Sequence, residues 1–493
     1  MKRSAGILLH ISSLPSPYGI GTLGKSAFDF VDFLEASGQS YWQVLPVGPT
    51  GYGDSPYQSF SVHAGNPYFI DLTALCNDGL IERQKCDKVD WGADSAHVDY
   101  EKLYNNRFKI LKEAFINFSK KENFQFKKFI TDNNFWLKDY SLYMAVKSYF
   151  NMRSWYDWPD IEIRSRKKSA LKKYSEILAH EINFQKFLQY LFYSQWENLK
   201  KYANSHNVKI IGDIPIYVGL DSADTWTHPE IFWLDKNKKP VKVAGCPPDD
   251  FSAEGQLWGN PIYNWKILKQ HGYNWWIDRM RTANKLFDVT RIDHFRGFDS
   301  YYVINFLEKN AINGEWMPGP GMDLFKKIRK KLGNIDIIAE DLGFLTPTVK
   351  KLLNDTGFPG MKILQFAFDP REESDYLPHN YQQNSVVYTG THDNDTIIGW
   401  FKNCPDEIID HAQKYGNLSK KEGYNWGFIR LCYSSVSKIA IIPMQDFLGL
   451  DSTARINTPS TLGGNWTWRA ISENFSQNLT AKIMQITKLY GRI

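Results

Sequence analysis

The feature that most constrains this chain is a series of eight short apolar runs, at residues 5–9, 41–45, 208–211, 287–292, 335–339, 361–366, 386–388 and 439–442, each closed by polar or turn-forming residues. Short runs rich in β-branched and aliphatic residues read as strands buried on both faces, the pattern of a parallel sheet. Parallel neighbours need crossover connections, and between most of the runs lie segments of helical period, such as Phe28, Val31 and Leu34, or Trp275, Met280 and Leu286. Strand and helix alternating in this way predict an α/β fold, a (β/α)8 TIM barrel. An open doubly wound sheet would share the alternation but would place a Gly-rich phosphate loop after its first strand. His10-Ile11-Ser12-Ser13-Leu14-Pro15 stands there instead.

The second and third runs are separated by residues 46–207, far more than one crossover, so a subdomain is inserted there. Apolar residues at helical spacing over 103–118, 135–150 and 183–202 make it mainly helical. The whole chain, 1–493, reads as one catalytic barrel, with the insert at about 50–205, a covering loop region at about 217–263, and a loop and helix at about 445–493 completing it. The basic stretch 164–168 reads as a solvated helix face.

Several function classes are excluded early. Lys plus Arg number 59 against 54 Asp plus Glu, and a net charge of +5 is too mild for nucleic acid or an anionic membrane. No apolar run approaches the roughly 20 residues that cross a bilayer. Five cysteines, with no C-x-x-C pair, suit a reducing compartment. Lys2 and Arg3 precede only a brief apolar stretch, so a cytoplasmic protein without a targeting segment is expected. Aromatic residues make up 15% of the chain, and their flat faces and polar edges suit sugars, although an aromatic core explains the same number.

Barrel enzymes carry their chemistry at the C-terminal ends of the strands, and three acidic clusters fall there. In Thr290-Arg291-Ile292-Asp293-His294, strand alternation puts Arg291 and Asp293 on one side, where the guanidinium can keep the carboxylate ionised and aimed as a nucleophile, a buried ion pair without a catalytic role being the alternative. In Ala339-Glu340-Asp341 the two acids point in opposite directions. Parity does not choose between them. Glu340 follows the apolar run directly, where a half-apolar pocket raises a carboxyl pKa and keeps a usable proton, while Asp341 suits a cap or surface position. In Thr391-His392-Asp393-Asn394-Asp395, His392 and Asp393 can bind hydroxyls, and an Asx turn accounts for the composition equally well. Three such ends suggest glycoside chemistry, in which a carboxyl pair about 5–5.5 Å apart means retention. A metal-dependent hydrolase would want a His-x-His pair after the first strand, and His10 stands alone.

At these residues the chain resembles the amylomaltases, or 4-α-glucanotransferases, which share the barrel and clan of the α-amylases. The resemblance runs nearly end to end and includes Gly51-Tyr52-Gly53-Asp54-Ser55-Pro56-Tyr57-Gln58-Ser59-Phe60-Ser61, Gly212-Asp213-Ile214-Pro215-Ile216-Tyr217-Val218, Pro247-Pro248-Asp249-Asp250-Phe251-Ser252, Gly255-Gln256-Leu257-Trp258-Gly259-Asn260-Pro261 and Gly464-Asn465-Trp466-Thr467-Trp468-Arg469. It implies Asp293 as nucleophile, Glu340 as general acid and then base, and Asp393 as the carboxylate that grips the sugar's 2- and 3-hydroxyls. It implies Arg291, His294 and His392 as surrounding donors, Asp213 as support for the sugar and nucleophile, Ser55, Tyr57, Gln256, Trp258 and Asn465 as lining of the glucan groove, and Phe366 on the acceptor side. The loop 249–258 would cover the groove. Donors would be malto-oligosaccharides, maltodextrin, or starch- or glycogen-derived α-1,4-glucans, with glucose as an acceptor and no cofactor or metal. An α-amylase-like hydrolase would use the same three acids, and a glucan-binding protein would need none of them. Two positions depart from the family pattern: Cys246, where a small apolar residue is expected, and Ser460, where glycine is common.

Overall fold

The computed structural model describes residues 2–51, 53–248, 252–343 and 345–493. Twelve strands are found among these residues: β1 (Ser4–Leu8), β2 (Tyr41–Gln43), β3 (Lys209–Pro215), β4 (Lys242–Cys246), β5 (Gln256–Pro261), β6 (Val289–Asp293), β7 (Ser300–Asn305), β8 (Gly314–Pro318), β9 (Ile337–Ala339), β10 (Gly360–Ile363), β11 (Ser385–Tyr388) and β12 (Ile439–Pro443). Eight of them form one parallel sheet in the order β10-β11-β12-β1-β2-β3-β6-β9. Every expected strand is present, and the fold is the expected nearly closed TIM barrel. The run at 361–366 is a strand only as far as Ile363; Leu364–Phe366 continue as a 3₁₀ helix.

The strands are buried on both sides because alternate residues point to two cores. Leu8, Tyr41, Ile211, Val289, Ile338, Met361, Val386, Tyr388 and Ile441 fill the barrel interior, while Ile7, Trp42, Ile210, Ile292 and Ile442 face the surrounding helices. The two ends of the sheet, β9 and β10, share no ladder. Their seam is held by the Ala339 N–H donating to the Pro359 carbonyl at 3.0 Å and the Met361 N–H donating to Asp341 Oδ1 at 2.6 Å. Asp341 is therefore buried inside the fold, not the cap or surface acid that its position suggested. An unpaired strand N–H needs an acceptor, and the carboxylate supplies it.

Between β2 and β3 lie the helices Tyr100–Phe118, Phe124–Asp132, Asn134–Tyr149, Lys168–Ile177 and Ala179–Ser205. Lys147, almost fully buried, ion-pairs with Asp221 at 2.5 Å and so fastens these helices to the segment after β3. The basic run 164–168 is a turn between two helices, not one solvated helix face: Arg166 has φ +54°, reaches Asp139 at 2.7 Å and covers the Trp226 ring at 4.3 Å. Segment 217–263, read as loop, carries β4 and β5, which join the β7–β8 hairpin in an antiparallel sheet of order β5-β4-β7-β8. Residues 249–251 of the expected covering loop, like Tyr52, lie outside the described residues.

The chain termini meet at the bottom of the barrel. β1 pairs in register with β12, Ser4 opposite Ile439. The helix Gln477–Leu489 runs beside the helix Lys25–Ala36, where Phe475 meets Phe30 and Phe33 edge-on. Arg492, fully buried, donates to the carbonyls of Tyr433, Ser4, Ser437, Cys432 and Ser435. All five cysteines are free, and among the described residues no helix is long and apolar enough to cross a membrane.

Candidate active site

β3 and β6 are neighbours, and their register sets Asp213 directly opposite Arg291. Side chains from paired positions on one face meet, so Arg291 Nη1 lies 2.5 Å from Asp213 Oδ2. Two residues on, at the end of β6, Asp293 Oδ1 lies 3.1 Å from Arg291 Nη2. The hydroxyl of Tyr57, delivered by the insert, donates to Asp213 Oδ2 at 2.8 Å. Tyr57, Asp213, Arg291 and Asp293 thus form one continuous polar chain across the mouth.

Glu340 follows β9, the next strand round the barrel. Its Oε2 accepts from the His294 N–H at 2.6 Å and its Oε1 from the Leu342 N–H at 2.8 Å. The first contact depends on the backbone of His294, which has φ +56°. That left-handed turn is costly for a side-chain-bearing residue, and here it points the amide at the acid. Burial lowers His294 to about 3 and also lowers His392, so both rings are neutral at pH 7.

Asp393 sits in the turn after β11. Its Oδ1 accepts from Asn457 Nδ2 at 2.7 Å, its backbone carbonyl accepts from Arg455 Nη2 at 2.6 Å, and its Oδ2 lies 3.4 Å from His392 Nε2. The His392 ring stacks on Tyr57, with centroids 5.0 Å apart at 15°, and Trp466 leans over both. Asn457, Arg455 and Trp466 were not named from the sequence for this turn. They come from a C-terminal loop with no periodicity, and Trp466 alone could have been found, within the Gly464-Asn465-Trp466 string.

The remaining expected residues divide. Trp258, on β5, meets His294 edge-on at 4.8 Å, and its indole N–H donates to Gln256 at 3.0 Å, so both stand at the mouth beside Glu340's neighbour. Phe366 packs against the barrel interior and meets Tyr376 edge-on at 5.5 Å. Ser55 Oγ accepts from the Tyr57 N–H at 3.3 Å and so shapes the Tyr57 loop. Asn465 turns its amide back on its own loop, to Thr458 and Thr461. Ser460 in that loop has φ +63°, a conformation free for glycine and strained for serine.

The two central carboxyls share one electrostatic problem. Burial pushes Asp293 up to about 8, Arg291 pulls it back and Glu340 pushes it further; burial raises Glu340 as well. Each carboxyl raises the cost of ionising the other, so they titrate as a pair. Contact with the Arg291 guanidinium favours the charged form of Asp293, and the backbone donors favour the charged form of Glu340, so the two carboxyls compete as one coupled pair. The expected consequence is a bell-shaped profile of kcat/KM whose alkaline limb lies above the ordinary carboxyl range, where the proton on the acid is lost; a flat profile from pH 6 to 9 would contradict it. No cluster of three or more metal-ligating side chains occurs among the described residues.

A parallel barrel with two buried carboxyls at the ends of adjacent strands is the arrangement expected of a carbohydrate-active enzyme. Its sequence matches the model of the 4-alpha-glucanotransferase family over residues 9–473. The chain belongs to that family. It is 52% identical to a 4-alpha-glucanotransferase of Clostridium butyricum over 98% of this chain and 100% of the relative, and 44% identical to that of Thermus thermophilus over the whole of both. Among solved structures, the amylomaltase from Streptococcus agalactiae in complex with acarbose superposes with a TM-score of 0.98 at 43% identity, each chain covered completely.

Proposed function

We propose that the protein transfers α-1,4-glucan segments by retaining double displacement, with Asp293 as nucleophile. The observation that carries this reading is the Asp213–Arg291–Asp293 ion-pair chain beside a Glu340 aimed by two backbone amides. Asp293 Oδ attacks the anomeric carbon, the bond from that carbon to the glycosidic oxygen breaks, and the Glu340 proton passes to the departing 4-oxygen. A glucan or free glucose then offers its 4-hydroxyl. Glu340 takes that proton, the new bond forms and Asp293 is released. Asp393, steadied by Asn457 and Arg455, grips the 2- and 3-hydroxyls, and Tyr57, His392, Trp258 and Trp466 wall the sugar.

Transfer instead of hydrolysis requires a sugar hydroxyl to be better placed than water, and an aromatic mouth favours this by orientation and exclusion. Kinship with the amylomaltase described with acarbose supports the same ligand class here. We treat the chain as a single catalytic unit, since the insert supplies Tyr57 and the C-terminal segment supplies Asn457 and Trp466 to one mouth. The five free thiols suit a reducing compartment, and we place the activity in the cytoplasm.

Maltotriose is the discriminating substrate. Incubation yields glucose together with a ladder of longer glucans and no net gain in reducing ends, read by chain-length-resolved chromatography. A steady gain in reducing ends without longer chains would make the protein a hydrolase.

A further inference from the structure

The barrel seam and the ion-pair chain meet at one residue. Asp341 fixes the backbone of Met361, and Gly360 permits this: a Cβ there would stand 2.4 Å from Asp341 Oδ2. The Met361 side chain, thus placed, enters the barrel interior, where its sulfur lies 3.4 Å from Arg291 Nε. The other two edges of the guanidinium are held by Asp213 and Asp293. All three edges of a planar group are therefore occupied, two by carboxylates and one by a thioether. The choice of a thioether has a physical consequence. A third carboxylate would draw the guanidinium charge away from Asp293, and an alkyl chain would leave the buried Nε–H without an acceptor. A polarisable neutral sulfur satisfies the N–H and leaves the charge to the two aspartates.

We propose that Met361, seated by Asp341, is a positioning residue for glucan transfer: its sulfur sets the rotation of Arg291 so that one terminal nitrogen serves Asp213 and the other Asp293. This rests on the reading of Asp293 as nucleophile. The titratable and charged groups facing this pair are Asp213 on β3, Tyr57 from the insert, Glu340 after β9, Tyr388 on β11, and His392 and Asp393 in the following turn; Lys362 faces Asp341 from β10.

The test compares Met361→Leu, which keeps the volume and removes the acceptor, with Asp341→Asn, which keeps an oxygen for the Met361 N–H, and Asp341→Ala, which does not. Met361→Leu and Asp341→Ala are expected to lower kcat for maltotriose disproportionation about tenfold with KM changed less than about twofold, and to raise the acidic limb of the kcat profile by about half a unit, as Asp293 loses part of its counter-charge. Asp341→Asn stays within about threefold of the parent. Wild-type kcat and an unmoved acidic limb in Met361→Leu overturn the proposal. So does a loss of activity that follows only a lowered melting temperature, with no limb shift, since that is packing alone. An Asp293→Asn protein that still disproportionates would instead overturn the nucleophile reading itself, so the two failures are distinguishable.

Discussion

Asp293→Asn is expected to lower kcat for maltotriose disproportionation by about 10⁴-fold or more, with glucan binding retained. The amide has the size of the carboxylate and its oxygen can still accept from Arg291, so the mouth keeps its shape. It offers no anionic oxygen to the anomeric carbon, and double displacement stops before the first bond breaks. Removing one negative charge beside Glu340 also leaves that carboxyl easier to ionise, so any residual activity has its alkaline limb at lower pH. The measurement is product analysis by chain length across pH 5–9 beside a binding titration with a malto-oligosaccharide. Loss of less than tenfold would remove Asp293 from the nucleophile's role.

The largest expected effect on stability lies at the opposite end of the barrel. Arg492→Ala withdraws a fully buried guanidinium from carbonyls at the end of the helix Tyr424–Ser434 and from Ser4 at the start of β1. The carbonyls of Tyr433, Ser435 and Ser437 keep Arg3 as a donor and that of Cys432 keeps the Ser435 hydroxyl, so the cost comes from the charge-assisted bonds lost, about 1.5–3 kcal/mol each at most, and from the cavity that opens where the side chain lay. A destabilisation of about 3–5 kcal/mol is expected, read as a lowered denaturation midpoint with an unchanged denaturant slope, while activity per folded molecule is retained. Deleting the last two residues should do the same. A midpoint within experimental error of the parent would mean that Arg3, which donates to three of the same carbonyls, of Tyr433, Ser435 and Ser437, carries the junction alone.

The barrel was legible because strands buried on both faces must be apolar throughout, and such runs stand out against helical segments. The antiparallel sheet was not, because its strands meet neither condition. β4 offers only Val243 to a small core while Ala244 joins the main one, β5 is interrupted by Gly259 and Asn260, and β8 is largely exposed. At the site, Asp293 and Glu340 could be read from their places at strand ends. Strand parity left Asp341 ambiguous, since what decides it is a gap in the sheet ladder at β9 and β10, which no local pattern encodes. Asn457 and Arg455 approach Asp393 from a loop more than sixty residues away in sequence, on polar residues ordinary in any turn.

The junction of the two chain ends bears on how the protein is made. Ser4 and Arg492 bond across 488 residues, so on a ribosome adding about 5–20 residues per second the first strand waits roughly 25–100 s for its last partner. Until β12 emerges, β1 has β2 on one side and an open, largely apolar edge on the other. Such an edge is a template for pairing with a second nascent chain. Yield in rapid overproduction should therefore be limited by association of incomplete chains, and slowing synthesis, by temperature or by rare codons before residue 439, would not help unless the exposed edge is shielded meanwhile.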